Sequence, residues 1–362
     1  MNSKIIFWKH QPQQILYRNN LKNRFIYLLS FIFLSPLLHV WAQSPEQIQE
    51  ELNQAQAQYE HAKEMFNPWY SGPLLTGSAH MMPPGYLGLQ PYLFTADNYA
   101  VFDKHYTSHG IPDLIQLNPQ INALQAGITS WLDVAFSMQG FVNWQDGKSS
   151  GGIGDTSVTF GFPLLTEGLY IPAMKIGIGE TFPTGRYEKL THGKGAVQAT
   201  GQGSYQTTFS YRIAKLLFWS TLHPLNTRAT FAYTIPTTIH VKGLNAYGGG
   251  FDTNGKVRLG NQLSVSVGLE WSFSQRWVFA NDFVYTHGNR TRFNGRKGTL
   301  SDGTPAKVGA PSSDQFSLAP AIEYNFSSML GVLGGVWFVV AGRNTSKFVQ
   351  GIVSVTYTWK VS

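Results

Sequence analysis

The chain has 362 residues, no cysteine, 37 glycines, 13% charged residues and 14% aromatic ones. Sparse charge with many aromatic rings excludes a disordered chain, and the lack of cysteine excludes a disulfide framework and any thiolate metal site. The formal charge of +7 sits mainly in the first 42 residues; beyond them 22 basic residues face 20 acidic ones, which argues against nucleic acid as a partner.

Lys4, Lys9, Arg18, Lys22 and Arg24 precede or border the apolar run "FIYLLSFIFLSPLLHV". Val40 and Ala42 occupy the small-residue positions of a cleavage site, so residues 1–42 are expected to be a signal peptide removed before Gln43. An uncleaved anchor is the alternative, and the long basic stretch leaves a later translation start open. Residues 43–66 are expected to form a periplasmic helix. Ser44 supplies a cap, Pro45 suits the first turn, and Glu46 and Glu50 favour the positive helix end. "NPWYSGPLLTGSAHMMPPG", 67–85, breaks all periodicity and is expected to be a linker or a lumen plug.

From Tyr86 to the end, 86–362, the pattern becomes strand, turn, strand, loop. Twelve strands are predicted near 86–95, 119–129, 131–142, 153–164, 172–182, 203–214, 227–239, 257–273, 276–287, 314–327, 332–343 and 347–360. Their connections alternate. Those near 130–131, 164–171, 274–275 and 327–331 are short, whereas 96–118, 183–202, 240–256 and 288–313 are long. Short turns on one side and long loops on the other mark a transmembrane antiparallel β-barrel, so the fold expected is all-β with one short N-terminal helix.

"KVRLGNQLSVSVGLEWSF", 256–273, shows the pattern at its clearest. Val257, Leu259, Leu263, Val265, Val267, Leu269, Trp271 and Phe273 share one parity, and small or polar residues fill the other. A period of two separates them onto opposite faces. The oily face is expected to meet outer-membrane lipid and the polar face a lumen. Aromatic residues agree with this placement. Trp131, Trp271, Trp277, Tyr324 and Tyr357 fall at periplasmic strand ends, and Tyr92, Phe94, Trp144, Tyr205, Tyr285, Phe316 and Phe348 near outer ends, as two interfacial girdles require.

The segment from Ser149 to Tyr187 contains Gly152-Ile153-Gly154-Asp155, then Gly177 and Gly179, then Pro183-Thr184-Gly185. In this order the motifs resemble the outer-membrane family named after the meta-pathway of phenol degradation. The resemblance covers about 40 residues, and the strand rhythm from Tyr86 onward accords with it. It implies an outer-membrane transporter or channel, and the family name points to hydrophobic or aromatic solutes.

Strand parity assigns Asp133, Asp155, Lys175, Arg212, Arg228, Glu270, Arg276, Asp282 and Glu323 to the lumen, with Gln139, Arg258, Gln315 in the same set. A wall of mixed charge suits a polar constriction that filters a small-molecule solute; a static ion-pair network is the alternative. Around twelve strands lies between side-chain-filled barrels and open porins, so a narrow or partly plugged pore is expected. A surface interaction or adhesion barrel is a second reading, resting on the long loops. A lipid hydrolase is a third, and the sequence lacks G-x-S-x-G for it. "DKHYTSH" would hold a metal only on a helix and reads as a polar loop. Nothing in the sequence calls for a cofactor.

Overall fold

The computed structural model describes residues 44–66, 69–191 and 194–361. The expected signal peptide lies outside them. Two compact units divide the chain, Met1–Ala57 and Gln58–Ser362. Helix α1 (Pro45–Phe66) begins with a reciprocal cap: Gln47 N–H donates to Ser44 Oγ (3.3 Å), and Ser44 N–H donates to Gln47 Oε1 (3.0 Å). These two bonds satisfy backbone donors that the helix itself leaves free. No helix among the described residues is long and apolar enough to cross a membrane.

The second unit is built on a closed barrel of twelve antiparallel strands. The first are β1 (Tyr86–Phe102), β2 (Ser108–Thr129) and β3 (Leu132–Gln145). A hairpin through Asp146 and Gly147, both at positive φ, leads to the short β4 (Lys148–Ile153), which pairs with the outer half of β3. Asp-Gly suits such a two-residue turn because both positions need a left-handed backbone. Then come β5 (Thr156–Leu165), β6 (Ala173–Phe182), β7 (Gln206–Leu217) and β8 (Leu225–Pro236). Short strands β9 (Ile239–Lys242) and β10 (Asn254–Arg258) precede β11 (Gln262–Ser272) and β12 (Trp277–Gly288). The last are β13 (Arg292–Arg296), β14 (Ser313–Asn325), β15 (Leu330–Arg343) and β16 (Thr345–Lys360). β16 closes the ring on β1, with Lys360 opposite Tyr86. Closure pairs every wall strand on both sides, which hydrocarbon demands of a spanning sheet.

The outward faces carry the apolar belt. On β11, Val267 and Trp271 are exposed while Ser266, Gly268, Glu270 and Ser272 are buried. At the periplasmic ends the rings touch: Trp271 with Phe273 (4.6 Å between centroids), Trp277 with Tyr324 (4.7 Å) and Tyr357 with Trp359 (5.2 Å). Trp144, Tyr205, Tyr285 and Phe316 are exposed toward the outer ends. The chain is an outer-membrane β-barrel.

Three expectations need correction. The stretch 256–273 is not one ribbon. β10 ends at Arg258, β11 starts at Gln262, and parity inverts between them, so Val257 and Leu259 are buried in a separate cluster with Ile239 and Val241. Residues 96–118 are mostly strand, because β1 and β2 continue to a short turn at 103–107. In that turn Asp103 accepts the His109 Nε2 contact (3.0 Å) and the His105 N–H (2.7 Å). Finally, Tyr92, Phe94 and Phe348 do not join the outer girdle. Tyr92 and Phe94 are buried on the lumenal face, and Phe348 packs on Trp337 at 5.0 Å.

The belt makes a depth-dependent prediction. Val267→Arg, near the middle of β11, should destabilise the folded barrel by about 2–4 kcal/mol, whereas Leu263→Arg, near its outer end, should cost about 0–1 kcal/mol. Urea unfolding in phospholipid vesicles reads both; equal losses would place the bilayer elsewhere.

Candidate functional site

Residues 69–85 enter the barrel, turn, and leave it. Trp69 N–H donates to the carbonyl of Gln275 (3.4 Å) in the turn between β11 and β12. Leu74, Thr76 and Ala79 are buried. Gly85 N–H then reaches the Gly127 carbonyl (3.0 Å) before β1 begins. Gly127 has to be glycine here, since any Cβ would collide with the carbonyls of Met82 and Pro83.

The segment has no strand partner, so its backbone donors need other acceptors. Lumenal carboxylates provide them. Ser71 N–H donates to Glu323 Oε2 (3.0 Å). At the innermost turn Leu75 N–H and Thr76 N–H donate to the two oxygens of Asp282, both at 3.0 Å. Met82 N–H donates to Asp133 Oδ2 (3.2 Å). Lys175 Nζ bridges the Asp133 carboxylate (3.2 Å) and the His80 carbonyl (3.0 Å). Arg228 pairs with Glu270 (Nε to Oε2 2.7 Å), to which Asn226 Nδ2 also donates at 2.7 Å. Gly72 lies against the Arg228 guanidinium and Gly77 against that of Arg212.

Asp133, Lys175, Arg212, Arg228, Glu270, Asp282 and Glu323 thus converge on one segment of chain. Two expected members do not join them. Arg276 is exposed in the turn between β11 and β12, because the alternation ends with the strand. Asp155 sits at the break between β4 and β5 and binds an outer loop: its carboxylate accepts Gly185 N–H (2.9 Å) and Gln202 N–H (2.7 Å). Thr184 Oγ1 donates to the Gly154 carbonyl (2.7 Å), so the GxGD and PTG motifs are two halves of one clasp. Gly185 abuts the Cα of Gly201, leaving no room for a side chain. Of the secondary set, Arg258 is exposed on β10.

Across the ring from Lys175, Arg212 and Arg228, and sharing β12 and β14 with Asp282 and Glu323, stands an apolar wall the parity argument missed. Leu74 packs with Tyr92, Phe94, Leu333 and Ile352 beside small residues Ala280, Ala319 and Ala321. Trp337 borders this cluster and donates Nε1–H to Ser317 Oγ (2.8 Å). In "PYLFTA" apolar residues occupy both parities, and only the outward exposure of Leu93 tells the faces apart.

A second set of bonds lies at the periplasmic end, centred outside the membrane-spanning strands and reaching the last residues of β7. Glu167, in the turn after β5, accepts Tyr59 OH (3.0 Å), Lys215 Nζ (3.0 Å) and Leu216 N–H (2.8 Å), and contacts His80 Nε2 at 2.8 Å. Burial alone would raise the Glu167 carboxyl, yet hydrogen bonds from His80, Leu216 and Lys215 hold it down at about 2.

Neither a protein-family model nor a curated protein matches the sequence. Among solved structures, an outer-membrane channel from Pseudomonas putida F1 shares the fold with a TM-score of 0.59 and 12% identity, covering 78% of this chain and 98% of that one. The monoaromatic hydrocarbon channel TodX, as a deltaS2S3 mutant, aligns with a TM-score of 0.38 and 11% identity over 77% of this chain and 91% of its own. The translocator domain of the autotransporter NalP from Neisseria meningitidis gives 0.40 and 10% over 86% of this chain and 97% of its own.

Two predictions follow from these bonds. Asp282→Ala leaves two buried N–H groups without acceptors, at about 1–3 kcal/mol each; protease cleavage within 69–85 should accelerate while the barrel stays folded. Unchanged cleavage would show that Asp282 does not hold the segment. The lowered Glu167 value carries a pH sign. A carboxyl held below its ordinary 4.5 stabilises the fold above that value, and the contribution fades as pH falls toward about 2. Pepsin should therefore cut 69–85 faster as pH drops through this window, and Glu167→Gln should flatten the profile. Superimposable profiles for the two proteins would remove Glu167 from the network.

Proposed function

We propose that this chain is an outer-membrane channel for small solutes, hydrophobic or aromatic ones among them, closed at rest by residues 69–85. The observation that carries this reading is the two-sided lumen. One wall presents Asp133, Lys175, Arg212, Arg228 and Glu270; the other presents Tyr92, Phe94, Leu333, Ile352 and Trp337. A solute with an apolar body and a polar edge meets a matching surface on each side, and Leu74 fills the apolar wall when no solute is there. The fold is shared with an outer-membrane channel, and the GxGD and PTG motifs resemble a transporter family.

The charged wall supplies the filter. Its side chains are engaged with the segment at rest, so passage requires that the segment shift and that incoming polar groups replace its N–H donors. Deep charges without such replacement would be strongly penalised.

Planar-bilayer recordings test the channel. The intact chain should conduct little, and deletion of 67–85 should raise conductance several-fold; no conductance in either protein would sink the reading. Liposome uptake of neutral, anionic and aromatic solutes then tests selectivity. Arg212→Ala should reduce anion passage and Glu323→Ala should increase it, with aromatic uptake changed less by either.

A further inference from the structure

β9, β10 and β13 form a separate three-stranded sheet in the order β9-β10-β13. It stands on β8, β11 and β12 in matching order, with two or three residues between each pair of strands. Its two faces differ. Ile239, Val241, Val257 and Leu259 are buried, and Tyr187 and Tyr247 cover them. Lys242, Lys256, Arg258, Arg292 and Arg296 are exposed on the other face, with His240 among them.

The register sets these cations side by side. Arg258 is directly opposite Arg292, Lys256 opposite His240, and Asn254 stands between Lys242 and Arg296. Like charges directly opposed weaken a strand pair. Among the described residues none of the five cations forms an ion pair with a carboxylate. Glu188 takes the backbone N–H of Lys242 (3.1 Å), and Arg296 Nε donates to the carbonyl of Asp252 (2.9 Å). An unpaired basic array that opposes its own sheet calls for an anionic partner.

Its direction is given by what covers the apolar face. Tyr247 OH donates to the Gln202 carbonyl, and Gln202 and Tyr187 belong to the loop between β6 and β7. That loop packs on the inward face of the outer part of β3, where the buried Asn143 Nδ2 donates to the Val197 carbonyl (2.9 Å). The apolar face therefore looks toward the barrel axis and the cationic face away from it, above the lipid that surrounds β8, β11 and β12. Neighbouring strands about 4.8 Å apart and same-face residues about 6.6 Å apart space the cations for several phosphate groups at once.

We propose that this face binds the phosphate groups of the glycolipid headgroups that form the outer leaflet. It rests on the outer-membrane placement and is independent of transport. A basic residue near an anionic membrane surface is worth about fivefold in affinity, so several acting together give a strong, salt-sensitive contact.

The test uses the purified full chain in detergent and lipopolysaccharide of known phosphate content as probe. Wild type should bind it at least tenfold more tightly than Lys256→Ser/Arg258→Ser/Arg292→Ser/Arg296→Ser, should lose that advantage with enzymatically dephosphorylated lipopolysaccharide, and should weaken as salt rises. Lysine in place of Arg258, Arg292 and Arg296 should keep most of the binding. If protease access at 239–258 shows that the four-fold variant has lost the sheet, Lys256→Gln/Arg296→Gln replaces it, with at least a fivefold loss expected. Equal binding by wild type and the folded variant, or indifference to phosphate removal, overturns the proposal. So does soluble dextran sulfate binding more tightly than lipopolysaccharide, which would assign the face to free polyanions.

Discussion

The structure depends on one constraint: a carboxylate inside a narrow barrel must be met by a donor or not be ionised there. Asp133, Glu270, Asp282 and Glu323 are all buried, while Lys175, Arg212 and Arg228 are the cations set against them. The remainder is made up by peptide N–H groups of 69–85. Asp282 illustrates this: its two oxygens are taken by Leu75 and Thr76. The need is mutual. A stretch without strand partners has orphan donors of its own, and the lumenal carboxylates accept them. Neither the wall nor the segment would be satisfied without the other, which accounts for a turn without regular structure in the middle of a barrel.

The same reciprocity shapes the segment's composition. Gly72 and Gly77 pass beside guanidinium groups, and Gly268 on β11 gives room to Pro73 and Thr76. Bulk enters where the wall leaves room: Tyr70 OH meets Ser272 Oγ (3.2 Å) on the polar side, and Leu74 enters an apolar cluster whose own small members, Ala280, Ala319 and Ala321, make the space. Small residues on strands and small residues on the segment alternate so that one backbone can run close to another. A two-sided lumen follows: charges gather where backbone needs partners, and rings gather where a side chain fills space.

Much of this was legible in the sequence. Each of the twelve wall strands overlaps the span that alternation gave it, because a strand between lipid and lumen alternates apolar-out and polar-in. Of the nine charges that the same parity assigned to the lumen, seven stand there. The failures share a cause: parity counts only while the pleat is unbroken. Arg276 lies beyond the last paired residue of β11. Asp155 follows the break at Gly154. Arg258 precedes the inversion at Gly260 and Asn261. The rings of β1 were misplaced for another reason, since Tyr92, Leu93 and Phe94 are apolar on both faces and carry no contrast. Nor does any local pattern announce which carboxylate will hold which peptide group of 69–85; those bonds join residues 51 to 252 positions apart.

The inversion between β10 and β11 shows how one alternating stretch serves two environments. Below Gln262 the apolar parity meets acyl chains, so the polar parity must face inward. Above Arg258 there is water outside and a folded loop inside, so the preferences reverse and the apolar parity turns toward Tyr187 and Tyr247. A continuous pleat cannot satisfy both. Gly260 allows the crossing because it lies against the Asn289 backbone, where a side chain would not fit. The sites at which β8, β11 and β12 give way to β9, β10 and β13 therefore mark the level at which lipid ends. The lumenal charges below that level are internal and engaged, and the five cations of β9, β10 and β13 above it are external and have no carboxylate partner among the described residues. This segregation explains how a chain with nearly balanced charge beyond its leader carries so basic a face.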